Sequence, residues 1–142
     1  MNTKRQTTQL ILIALSLIFF ITSCANSPEQ RLIGEWKGTD PTGVTAALVF
    51  NEDGSARMIQ GNTVLDGASV GGKVTWRLDA SHDPMRLDLV LSKTSGETMT
   101  LPMILRFVGE NKLQARISED RTSRPTGFSE SEDTNQIILV RQ

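Results

Sequence analysis

Few side chains in this sequence are equipped for chemistry: one cysteine, one histidine, and a scatter of carboxylates and guanidiniums. Cys24 is the only thiol, so an intrachain disulfide is ruled out and covalent modification or a free nucleophile remains. His82 stands in Asp79-Ala80-Ser81-His82-Asp83, and serine, histidine and aspartate are the components of nucleophilic catalysis. A triad needs its base held between nucleophile and carboxylate, with an oxyanion hole nearby. Adjacency on one loop does not provide that, so these residues read as a solvated turn before Pro84. Metal binding has little to draw on, because one histidine without a thiolate set leaves only carboxylates. Asp53, Asp79 and Asp83 read as turn residues. Arg57, Arg77, Arg86, Arg106 and Arg116 fall on outward faces of alternating segments. Scattered, they are surface charge; lined along one rim with Arg121 and Arg124, they would recognise an anionic group. This inventory predicts a non-enzymatic protein with no catalytic residue, no metal and no cofactor.

The surroundings of Cys24 narrow its chemistry. Lys4 and Arg5 form a basic start, Leu10 to Ile21 is apolar apart from Ser16, and Thr22-Ser23 supplies small residues before the cysteine. That run is well short of the about 20 apolar residues that span a bilayer, so a secretory signal over residues 1–23 fits better than a membrane helix. Exported proteins usually pair their cysteines or avoid them, which makes a lone thiol at a processing site conspicuous. The tetrad Ile21-Thr22-Ser23-Cys24 resembles the bacterial lipobox. The resemblance implies cleavage between Ser23 and Cys24 and a thioether-linked diacylglycerol on Cys24, giving a palmitate-type anchor in the lipid bilayer. Two or three acyl chains hold durably, where one holds only marginally. An uncleaved anchor, or a plain secretory signal with an incidental cysteine, is the alternative. Ala25 follows in place of an aspartate, so by resemblance to enterobacterial sorting the expected place is the cell envelope, on the outer membrane facing the periplasm if the host is Gram-negative.

Residues 24–31 then form an acylated cysteine and short tether, and 32–142 one domain. Loss of Lys4 and Arg5 takes the net charge from −1 to −3. With no basic cluster, this argues against nucleic acid as a partner. Extended, Ala25 to Gln30 reaches only about 20 Å, which keeps the domain near the bilayer.

The elements that must position any site alternate with period two, as half-buried strands do. Val44, Ala46, Leu48 and Phe50 share a face, and Asp53-Gly54 offers a tight turn into Ser55 to Gln60. Val74, Trp76 and Leu78 alternate with polar residues; Leu87, Leu89 and Leu91 form another inward row, followed by a turn at Thr94 to Glu97. Met99, Leu101, Met103, Leu105 and Phe107 continue it, with Pro102 requiring an edge or a bulge at its position. Leu113, Ala115 and Ile117 follow, and Gln136 to Arg141 ends the chain. Asn62 to Gly72 reads as a flexible loop, and Glu119 to Asn135 as the longest polar connection. The expected fold is all-β: an antiparallel up-and-down meander of about eight strands closing into a small barrel, with a sandwich as the alternative.

Leu32-Ile33-Gly34-Glu35-Trp36 resembles the Gly-x-Trp opening of lipocalin-like domains, and Arg124-Pro125-Thr126-Gly127-Phe128 resembles the Arg-Pro-x-x-Phe segment of small bacterial lipocalin-like lipoproteins. The likeness runs over residues 32–141, without tyrosine or a disulfide pair and in a shorter chain than full lipocalins. It implies barrel closure by Gly34 and Trp36, with Arg141 packed on the indole; Trp36 as a ligand platform is the competing reading. It also implies a small apolar or amphipathic ligand, held by the mouth or by loops containing Asn62, Asp66, Arg121, Arg124 and Phe128. The alternative is an envelope interaction, assembly or inhibitor protein acting through the barrel surface. A cavity above about 300 Å³ favours the first, and a filled barrel with an exposed apolar patch favours the second.

Overall fold

The computed structural model describes residues 26–131 and 133–142; Ser23 and Cys24, with the proposed signal segment, lie outside the described residues. A short helix α1 (Pro28–Leu32) leads into β1 (Gly34–Thr39), β2 (Thr45–Phe50), β3 (Ala56–Gln60) and β4 (Thr63–Leu65). After helix α2 (Gly67–Val70) come β5 (Gly72–Asp79), β6 (Met85–Lys93), β7 (Thr98–Phe107), β8 (Lys112–Ile117) and β9 (Gln136–Arg141). All pairings are antiparallel, in the order β4-β3-β2-β1-β9-β8-β7-β6-β5. This is the meander expected from the alternation, with nine strands where about eight are predicted. Pairing of β9 with β1, Trp36 opposite Arg141, joins the two halves. The seam between β3 and β5 is narrowed by a bridge at Ser55 and Thr75 and by the Trp76 amide donating to Gly54. The sheet is therefore nearly closed into a barrel, which leaves few open strand edges.

Inward residues of opposite walls meet in one core. Leu32, Trp36, Phe50, Leu87, Leu89, Leu105, Leu113 and Leu139 are fully buried there. The two ends differ. Where β1 begins and β7 and β9 finish, α1 inserts Leu32 beneath Trp36, and the core is sealed. At the other end, the β1–β2 turn, Gly61 and the start of β9 surround an open mouth.

Three segments differ from expectation. Residues 28–32 are helical where an extended tether is predicted, because Ser27 and Gln30 form a reciprocal capping box and Pro28 occupies the first turn. Residues 62–72 are not a flexible loop: β4 pairs with β3, and Asp66 caps α2 through Ser69. Gly71, at φ +64°, ends that helix in the left-handed conformation that glycine adopts without penalty. The Gly, Ser and Thr content that suggests mobility is in fact turn and cap chemistry. Met99 follows the inward parity yet is 59% exposed, since β8 stops at Ile117 opposite Met103 and no wall faces the start of β7. Pro102 lies one residue beyond that last pair, where β7 is bordered only by β6 and its missing N–H costs no ladder bond on the β8 side.

Candidate functional site

At the sealed end, the Trp36 indole donates from Nε1 to the Leu32 carbonyl at 2.8 Å, satisfying its one polar atom in full burial. The Arg141 guanidinium lies 4.2 Å from the ring centroid and donates to the Ile33 and Arg31 carbonyls. Gly34 sits at φ +128°, and a Cβ there would come within 3.0 Å of Arg141 Nη1. Arg31 stacks 4.0 Å over Phe107 and donates to the Gly109 carbonyl. These contacts tie α1, β1, β7 and β9 together. An indole this enclosed offers no face to a ligand.

The mouth holds an apolar cavity of about 60 Å³. Leu48, Met58, Met103, Ile117 and Ile137 line it, with Asp40, Gln60 and Asn135 at the rim. It exists because Ala46 and Ala115 are small where the sealed end has Phe50 and Leu113. Gly38 belongs to the same region, and its bareness is forced: a Cβ would stand 2.2 Å from the Ile138 carbonyl of the neighbouring strand. A drug-sized ligand needs about 300 Å³ or more, so this space takes the end of an aliphatic group and little else. A larger groove of about 640 Å³ opens outside the seam, walled by Asp53, Arg57, Asp66 and Lys73. Its charges balance, and both carboxylates already accept bonds within their own turns.

Residues 118–131 and 133–135 form a strap across the outside of β6, β7 and β8. Arg124 donates to the Leu87 and Met103 carbonyls and pairs with Asp88. Arg116 pairs with Asp133 at 2.9 Å and donates to the Gly127 carbonyl. Phe128 lies under the Arg106 guanidinium at 4.7 Å, and Arg106 bonds Gln114. Ile104 is buried while standing outside the core cluster, as an outward residue covered from this side. Arg106, Arg116 and Arg124 thus face internal partners rather than an anion-binding rim, and Arg116 is only partly exposed where an outward surface position is expected. Arg121, at φ 56°, occupies a left-handed turn position within the strap. Asn62 is exposed at the β3–β4 turn, and Asp66 is consumed as a helix cap. The loop residues expected to gather around a ligand are therefore spread over three places.

The Ser81-His82-Asp79 group does meet in space, in the wrong arrangement for a triad. Ser81 Oγ and Asp79 Oδ2 both address His82 Nδ1, at 3.2 and 3.1 Å, and Ser81 Oγ also donates to Asp79 Oδ1 at 2.5 Å. A relay requires the serine and the carboxylate on opposite ring nitrogens. Among the described residues, no cluster of three His, Cys, Asp or Glu side chains is placed to hold a metal ion.

One surface was missed by reasoning from sequence. Strand register aligns Val64, Ile59, Ala47, Lys37 and Val140 in a row across the outer face of β4, β3, β2, β1 and β9, with Ile138 two residues along. Val64, Val140 and Ile138 are 41%, 42% and 44% exposed. Each looks like an isolated surface aliphatic in the sequence; in the sheet Ile138 and Val140 share the outer face of β9 beside Lys37, while Val64 stands four strands away, beyond half-buried Ile59 and buried Ala47. Comparison of the chain with protein-family models, with curated proteins and with solved structures finds no match.

Proposed function

We propose that the protein is a lipid-anchored lipoprotein of the bacterial cell envelope, with a lipocalin-like barrel that acts by non-enzymatic binding of another envelope protein through its outer surface. The observation that carries this reading is the filled interior. About 60 Å³ of open space is roughly a fifth of what a small-molecule site needs, while Val64, Ile138 and Val140 stand exposed on the outer face. The anchor rests on the lipobox-like tetrad ending in Cys24, and envelope localisation follows from it.

A second reading keeps the carrier function in reduced form: the mouth seats one aliphatic end of an amphipathic ligand. The apolar lining and two flexible methionines, Met58 and Met103, favour it, since thioether side chains repack around varied shapes.

Native mass spectrometry of residues 26–142 recovered from the host envelope, combined with cross-linking in intact cells, separates the two. An apo mass with a discrete protein cross-link from the Val64–Val140 face is expected. A stoichiometric small-molecule mass, with no such cross-link, would overturn the interaction reading in favour of the carrier.

A further inference from the structure

We infer that the sealed end of the barrel faces the bilayer and the mouth points away from it into the aqueous compartment; this rests on the reading of Cys24 as the acylated residue. The occupant of the sealed-end surface is the membrane itself. The argument is one of chain length and attachment. Only Ala25 and Asn26 separate Cys24 from Ser27, which caps α1, and three residue steps cover about 10 Å at most. The helix is itself fastened to the sealed end. Leu32 is buried under Trp36, Arg31 bonds Gly109 in the β7–β8 turn, and Arg141 at the end of β9 bonds the Arg31 and Ile33 carbonyls. A six-residue strand such as β1 rises about 20 Å, which sets the distance from this end to the mouth. The acyl chains therefore cannot be brought to the mouth without pulling α1 out of the core.

Charge tells how this end meets the membrane. The turns that open there carry Glu52, Asp53, Asp83 and Glu110, with Glu29 on α1, while Arg86 and Lys112 stand exposed at the adjoining strand ends and Arg31 is engaged with Phe107. With these charges mixed, this end has no basic cluster to adhere to anionic headgroups. The anchor alone holds the domain, which stands on the bilayer rather than spreading over it. It follows that whatever enters the mouth arrives from the aqueous side, and a lipid of the anchoring leaflet has no direct path into it.

The test uses the full-length protein, lipidated in a bacterial host and reconstituted in phosphatidylcholine vesicles that contain a headgroup-nitroxide lipid. Because acylation consumes the thiol of Cys24, a cysteine introduced as Glu110→Cys at the sealed end or Asn62→Cys at the mouth is the sole free thiol for a fluorophore. Quenching several-fold stronger at position 110 than at position 62 is expected. Equal or reversed quenching, with the acyl mass present on the intact protein, overturns the orientation and leaves the lipoprotein reading standing. Absence of the acyl mass on the intact protein overturns both.

Discussion

Trp36 concentrates three kinds of stabilisation in one side chain: full burial, a satisfied indole N–H, and an arginine over its face. Its ring also lies 6.1 Å from that of Phe107, so truncation removes contacts from two strands and α1 together. Trp36→Ala is expected to cost about 3–5 kcal/mol, the range for deleting a buried aromatic. A urea unfolding midpoint within error of wild type would show that the sealed end does not depend on this side chain. The cation–π contact with Arg141 accounts for about 0.5–2 kcal/mol of such an interaction. Gly34 is part of the same arrangement, because only a residue tolerant of φ +128° and lacking a Cβ leaves room for the guanidinium. Placement of a tryptophan, a glycine and an arginine at strand ends was legible from the chain. The capping role of Leu32 was not, since the contact between α1 and the indole depends on a helix short enough to escape any periodicity.

Turns and the strap carry the next level of organisation. Asp40, Asp53, Asp79, Asp120 and Asp133 each accept bonds from residues two or three ahead and are held below the ordinary carboxylate range. The hydroxyls of Thr42, Ser55 and Ser81 are the main cause for the first three. For Asp120, lowered to about 2, it is the Ser123 amide, and for Asp133 the Asn135 amide. Since the folded values lie below the unfolded ones, the unfolded state binds protons first as the solution is acidified. This contribution to stability is present above about pH 4 and is lost as the pH falls through the folded values. Urea midpoints are expected to hold steady from neutrality to about pH 5 and to drop steadily toward pH 2. A flat profile over that acid range would mean that these turns contribute nothing. The strap makes a separate prediction. Arg124→Ala removes charge-assisted bonds to Asp88 and to two strand carbonyls, at a cost of about 1.5–3 kcal/mol. Amide exchange in residues 118–131 is expected to accelerate before exchange in β6 or β7 does. Uniform acceleration across the barrel would show instead that strap and sheet open as one unit.

The barrel as a whole is filled at one end and slightly open at the other, and that asymmetry decides what it can do. Leu, Phe and Trp at the sealed end leave no space, while Ala46 and Ala115 near the mouth leave about 60 Å³. The same inward Leu, Ile, Val, Met and Phe residues are equally compatible with a greasy pocket and with a solid core, because hydrophobicity sets which way a side chain points and says nothing of how opposite walls interdigitate. The alternation of strands and the hairpin order were determined by the sequence, as these depend on residue type and local spacing. The tertiary structure alone decided the remainder. Register across five strands placed Val64, Ile59 and Val140 on one outer face, and long-range hydrogen bonds turned Arg116 and Arg124 from free cations into clasps for the strap. Strand register and cavity volume are sums over residues far apart in the chain, and no local pattern encodes such sums.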